Sequence, residues 1–69
     1  MKRVFTAIIH KEDELYVAQC PEVGTASQGA SVEEALLNLQ EATELYLEEF
    51  PMQETPRPFL TTFEVAVHA

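Results

Sequence analysis

The chain of 69 residues has little of what usually staples so small a domain. It has one cysteine, Cys20, so no disulfide can close within it. Its two histidines and single cysteine show no metal-ligand spacing. There is no tryptophan, and only two glycines punctuate the sequence. A chain of this size hides only about 60% of the surface its unfolded form exposes, so its own core is marginal. With disulfide and metal set aside, association with another chain is the expected staple, and a homo-oligomer (dimer or tetramer) is expected.

Positive charge is also scarce. Lys and Arg total 4 against 12 Asp and Glu, a net charge of −8. Phosphate binding rests on Lys and Arg, so direct nucleic-acid binding is not expected. An anionic membrane surface is disfavoured for the same reason, and a basic partner is favoured. No apolar run approaches the ~18 residues of a membrane span. Met1-Lys2-Arg3 leads straight into a strand-like segment, so no secretory leader is expected. A lone thiol fits a reducing compartment, and the expected location is cytoplasmic.

What is present reads as strands around one helix. Residues 3–10 are β-branched and aromatic and predict a first strand. Lys11–Glu14 is a polar break of hairpin length without the Asn-Gly or Asp-Gly of a tight turn. Residues 15–20 predict a second strand ended by Pro21, and 24–29 a short third one. The small residues of the third strand argue for an edge or a close backbone approach. Ser31-Val32-Glu33-Glu34 is a capping box that opens a helix running to Phe50, where Pro51 closes it. Val32, Leu36, Leu39, Thr43, Tyr46, Leu47 and Phe50 form its predicted core stripe. After a proline-rich connection, Phe59, Thr61, Phe63, Val65 and Val67 alternate and predict a fourth strand over 59–67. The expected class is α+β in the order β-β-β-α-β: an antiparallel three-stranded meander, one long helix on one face, and a fourth strand parallel to the first. Strand one has Phe5, Ala7 and Ile9 on one side and Val4 and Ile8 on the other, which leaves an apolar face for self-association.

Several short motifs recur in a fixed order: Tyr16-Val17-Ala18, Pro21-Glu22, Gln28-Gly29, Ser31-Val32-Glu33-Glu34-Ala35 and Glu44-Leu45-Tyr46-Leu47. In that order the chain resembles the N-terminal domain of the HicB family of antitoxins, over nearly its whole length. The resemblance implies a partial ribonuclease-H-like fold. It also implies neutralisation of a small RNA-cleaving toxin of the HicA type by protein–protein occlusion, without a cofactor. Two-domain members add a DNA-binding domain after the fourth strand. Residues 1–69 are expected to form the HicB-like domain alone.

Six of the twelve acids lie on the helix: Glu33, Glu34, Glu41, Glu44, Glu48 and Glu49, with no Lys or Arg among them. Glu41/Glu44 and Glu44/Glu48 are like-charge neighbours that cost roughly 0.2–0.5 kcal/mol each. Either they form a solvated face that keeps the protein soluble, or they meet a basic partner that relieves the repulsion. Leu37 and Leu45 fall on the same side of the helix, where an amphipathic helix does not want leucine. Glu41, Glu44, Glu48, Leu37 and Leu45 are therefore the candidate partner-binding residues. His10 and His68 end the first and fourth predicted strands, and a metal pair there lacks a third ligand. Cys20 reads as a small buried hydrophobe. Only Glu64 lies inside a predicted strand, too few carboxylates for a metal-dependent nuclease. No catalytic residue is expected.

Overall fold

A computed structural model describes residues 2–52 and 57–68. Three strands, β1 (Ile8–Glu12), β2 (Leu15–Cys20) and β3 (Thr25–Gly29), precede one helix, α1 (Val32–Glu49). The sheet order is β1-β2-β3 and both pairings are antiparallel. The expected α+β meander with a long helix on one face is therefore present.

The first hairpin closes more tightly than the sequence suggests. Glu12 pairs with Leu15, leaving only Asp13 and Glu14 in the turn. Asp13 takes φ 55°, which aspartate tolerates better than most residues do. This draws β1 forward to residues 8–12, instead of 3–10. Residues 2–7 stay outside the ladder, and the Thr6 N–H is held by the Glu22 carboxylate at 3.0–3.1 Å. The second turn, residues 21–24, closes through the Gly24 N–H donating to the Cys20 carbonyl at 2.8 Å. Gly24 sits at φ 91°, a conformation glycine adopts without penalty.

β2 matches the expected 15–20, and its register fixes the faces. Ala18 lies opposite Ile9 and Ser27, and Cys20 opposite Thr25. Ala18 and Cys20 point to α1 and are buried with Ala35 and Leu39. Phe5, Ala7, Ile9, Tyr16 and Val23 pack against this cluster half-buried. The alternation in the N-terminal segment thus reads correctly, with Phe5, Ala7 and Ile9 inward.

α1 starts as its capping box requires: the Ser31 Oγ accepts from the Glu34 N–H at 3.1 Å. The reciprocal bond is shifted by one residue. The Glu34 carboxylate accepts from the Ala30 N–H at 2.9 Å, not from Ser31. Phe50 caps the far end, donating its N–H to the Tyr46 carbonyl at 2.8 Å. The buried face of α1 is narrower than its periodicity predicts. Ala35, Leu39 and Thr43 are buried, whereas Val32, Leu36, Tyr46 and Phe50 are 41–60% exposed. A three-stranded sheet is not wide enough to cover the whole stripe.

β3 and α1 approach each other closely. A side chain at Gly29 would place its Cβ 2.6 Å from the Ala35 nitrogen, so the predicted close backbone approach is real. The Thr25 and Thr43 hydroxyls bond across the interface at 2.7 Å, which satisfies the buried Thr43.

The fourth strand is the principal correction. Among the described residues, 57–68 form no ladder with β1 or with any other strand. Phe59, Phe63, Val65 and Val67 are 66–90% exposed. The alternation is genuine strand patterning, but the segment lies off its own sheet. The radius of gyration is correspondingly large, 14.3 Å, against about 11 Å expected for a compact chain of this length.

Candidate interaction surface

α1 carries all five candidate residues, and the structure brings them onto one ridge. Helical spacing stacks Leu37, Glu41, Leu45 and Glu48 at intervals of three and four, with Glu44 beside them. The ridge points away from the sheet, because Ala35, Leu39 and Thr43 on the opposite side hold the helix down. Leu37 and Leu45 are 57% and 64% exposed, and Glu41, Glu44 and Glu48 are exposed. His10 Nε2 lies 3.3 Å from Glu12 Oε2 on the surface, away from the ridge. No basic residue stands in the last turn of α1 to offset Glu48 and Glu49 at the negative end of the helix dipole. The ridge thus combines exposed carboxylates with exposed leucines.

A second surface was not legible in the sequence. A groove of about 540 Å³ runs between the N-terminal segment and α1. Phe5, Cys20, Leu36, Leu39 and Leu47 supply its apolar lining, while Arg3, Gln40 and Glu44 are among its polar residues. It exists because α1 packs mainly on β3 and β2 and least on β1, which leaves the side of the helix toward the N-terminal segment open. The Arg3 guanidinium lies 5.4 Å from the centre of the Phe5 ring, and its Nη1 donates to the Met52 carbonyl at 2.6 Å. The start of the N-terminal segment is thereby tied to the chain just after α1.

Among the described residues Glu22 is the titratable group with a displaced pKa, and sequence reasoning assigned it no role. Burial pushes its carboxyl upward. Hydrogen bonds from the Thr6 hydroxyl, its own backbone, the Thr6 N–H and the Cys20 thiol outweigh that and hold it below the usual value. The Thr6 Oγ1 donates at 2.7 Å and the Cys20 Sγ lies at 3.5 Å. Glu22 therefore fastens the N-terminal segment to the β2–β3 turn. Its partner is 16 residues away, a separation at which no local pattern reveals the pairing. Cys20 is a free thiol and is buried, as its apolar neighbours suggest.

His10 and His68 are not brought together as two parallel strand ends, since the second of those strands is not formed. Among the described residues no group of three or more His, Cys, Asp or Glu is placed to hold a metal ion. Also among the described residues, no helix is long and apolar enough to cross a membrane.

Fold and surface define a small acidic α+β protein with an exposed ridge of carboxylates and leucines. The chain belongs to the UPF0150 family. It is 37% identical over 67 residues to a UPF0150 protein of Thermoplasma acidophilum, covering 94% of this chain and 97% of that one. It is 43% identical over 56 residues to a UPF0150 protein of Synechocystis, covering 78% and 71%. A UPF0150 protein of Helicobacter pylori is 49% identical over 45 residues, 64% of this chain and 62% of that protein, just under two thirds of its length. No family model matches the chain, and no solved structure matches it.

Proposed function

We propose that the protein is an inhibitory binding module of the HicB type, which occludes a small basic RNA-cleaving protein of the HicA type. The observation that carries this reading is the α1 ridge. Glu41, Glu44 and Glu48 repel one another at helical spacing, and Leu37 and Leu45 stand exposed among them. A cationic RNA-binding surface laid on the ridge would relieve the repulsion and cover both leucines. The net charge of −8 would speed the encounter. The order of sequence motifs supports the same reading, and with it a partial ribonuclease-H-like sheet completed by a fourth strand. The function needs no cofactor and no catalytic residue on this chain, and the expected setting is the cytoplasm.

The test uses the purified protein and a purified HicA-type protein encoded beside it, with binding measured by calorimetry at 50 and 300 mM salt. Tight binding that weakens with salt, and loss of RNA cleavage on complex formation, are expected. Replacing Glu41, Glu44 and Glu48 together by Gln should weaken binding at least about threefold, since each charged contact carries on the order of 0.2–1 kcal/mol at an exposed site. Absence of both binding and inhibition with the unaltered protein would refute the proposal.

A second reading is favoured by the exposed apolar residues of the C-terminal segment: a self-assembling oligomer with the same fold and no toxin partner. The absence of a short basic reading frame beside the gene would support it.

A further inference from the structure

Three features of the molecule are incomplete. The β1 border of the sheet has no strand beside it among the described residues. The side of α1 that faces the N-terminal segment is poorly covered, with Leu36 45% exposed beside a groove of about 540 Å³. Residues 59–67, which carry strand alternation, stand away from the body with Phe59 and Phe63 at 90% and 84% exposure. The segment has what the border and the groove lack: backbone groups to pair and a row of apolar side chains.

We infer that residues 59–67 of one copy dock as a fourth strand on the β1 border of a second copy, which returns its own segment in exchange. The length suffices: nine residues of strand span about 30 Å, more than the roughly 17 Å of the five-residue β1 border, Ile8–Glu12. The face agrees as well: strand alternation puts Phe59, Phe63, Val65 and Val67 on one side, and the groove presents Phe5, Leu36 and Leu47 to receive it. The area agrees with a stable dimer. Two phenylalanines bring roughly 300–500 Å² per segment. A symmetric pair therefore reaches about 600–1,000 Å² before valines, backbone and the receiving groove are added, which takes it past the about 1,000 Å² that a specific interface needs.

The occupant is a second copy and not the chain's own segment for two reasons. Pro51 and Pro58 stand at the two ends of the connection and favour extended backbone at Phe50 and Arg57, which opposes a tight reversal at either point. The protein's longest dimension, 47 Å against 28 and 16 Å, is that of a chain reaching beyond its own body. Exchange also supplies what the small core cannot, since among the described residues no large side chain is fully buried within one copy. The inference does not depend on a toxin, although Glu44 of the ridge also borders the groove.

The test uses the full chain. Equal amounts of isotope-labelled and unlabelled protein are unfolded, mixed and refolded. Nuclear Overhauser effects are then collected with a filter that passes only contacts between copies. Contacts from the Phe59 and Phe63 rings to the Leu36 and Leu47 methyls are expected in the filtered spectrum, with a dimer in sedimentation. The same contacts found only within one chain would overturn the inference, as would a monomer whose segment makes no contacts. Phe63→Ser should raise the dimer dissociation constant roughly 100-fold or more, because two rings leave each dimer, while the helical circular dichroism persists. An unchanged dissociation constant would also overturn it. Loss of toxin binding with an intact exchanged dimer would count against the proposed function alone.

Discussion

Gly29→Ala tests the closest approach in the fold. The added methyl carbon would lie 2.6 Å from the Ala35 nitrogen and 2.9 Å from both the Glu34 carbonyl carbon and its Cβ. Ordinary contact between such atoms begins near ~3.5 Å. The first turn of α1 must therefore retreat from β3 by close to an ångström. Two of these three atoms are backbone, so no rotamer change relieves the clash. The movement also loosens the Thr25–Thr43 bond of 2.7 Å and the bond of 2.8 Å from the Asn38 amide to the Gln28 carbonyl. Overpacking of this kind costs about 1–3 kcal/mol, and the entropy lost from the unfolded chain returns only about 0.4–1 kcal/mol. A net loss of about 1–2 kcal/mol is expected, or a fall in Tm of roughly 4–16 °C for a domain of this size. Gly24→Ala is the companion measurement. There a methyl meets nothing within 4 Å, and the cost comes only from φ 91°. About 1 kcal/mol is expected. Both are read from urea unfolding followed by circular dichroism at one protein concentration. Gly29→Ala costing less than Gly24→Ala would refute the argument from the close approach.

Two further outcomes follow from buried polar contacts. Glu22 has a depressed pKa in the folded state, so it adds stability that is complete above the unfolded value near 4.5 and is lost as pH falls through the lower folded value. Glu22→Gln should lower stability at pH 7 and flatten the acid limb of the stability–pH curve, measured by urea midpoints from pH 7 to 3; an unchanged limb would remove Glu22 from that role. Thr43→Val leaves the Thr25 hydroxyl without its partner and should cost about 1–2 kcal/mol, most of it recovered when Thr25→Val is added, as a double-mutant cycle would report.

The sequence was most readable where local chemistry decides structure. β2 and the Ser31 cap lie where propensity and hydrogen-bonding side chains put them, and α1 closes at Phe50 before Pro51. The inward set Phe5, Ala7 and Ile9 follows from alternation, and the tight approach at Gly29 from the small residues of β3. Legibility ended where the partner is distant or belongs to another layer. The Thr6–Glu22 contact has no local signature, and it accounts for β1 starting at Ile8 and not near Arg3. Periodicity placed Val32, Leu36, Tyr46 and Phe50 in the core because it reports which face of a helix is apolar, not how much sheet lies beneath it. Alternation in 59–67 likewise identifies a strand-forming segment without naming the border it joins. The candidate ridge residues were found because their spacing and types conflict with simple amphipathicity. The groove went unread because it is a gap between elements.

The amide of Asn38 has a consequence for how large an assembly can become. It donates to the Gln28 carbonyl of β3, engaging a backbone acceptor that an incoming chain would otherwise use. The sheet is therefore hospitable on one margin and guarded on the other. A sheet open at both margins can add chains without limit and grow into fibres. With the β3 margin partly occupied by its own helix, an incoming strand finds one acceptor fewer there than at β1. A single asparagine thus weighs against open-ended growth.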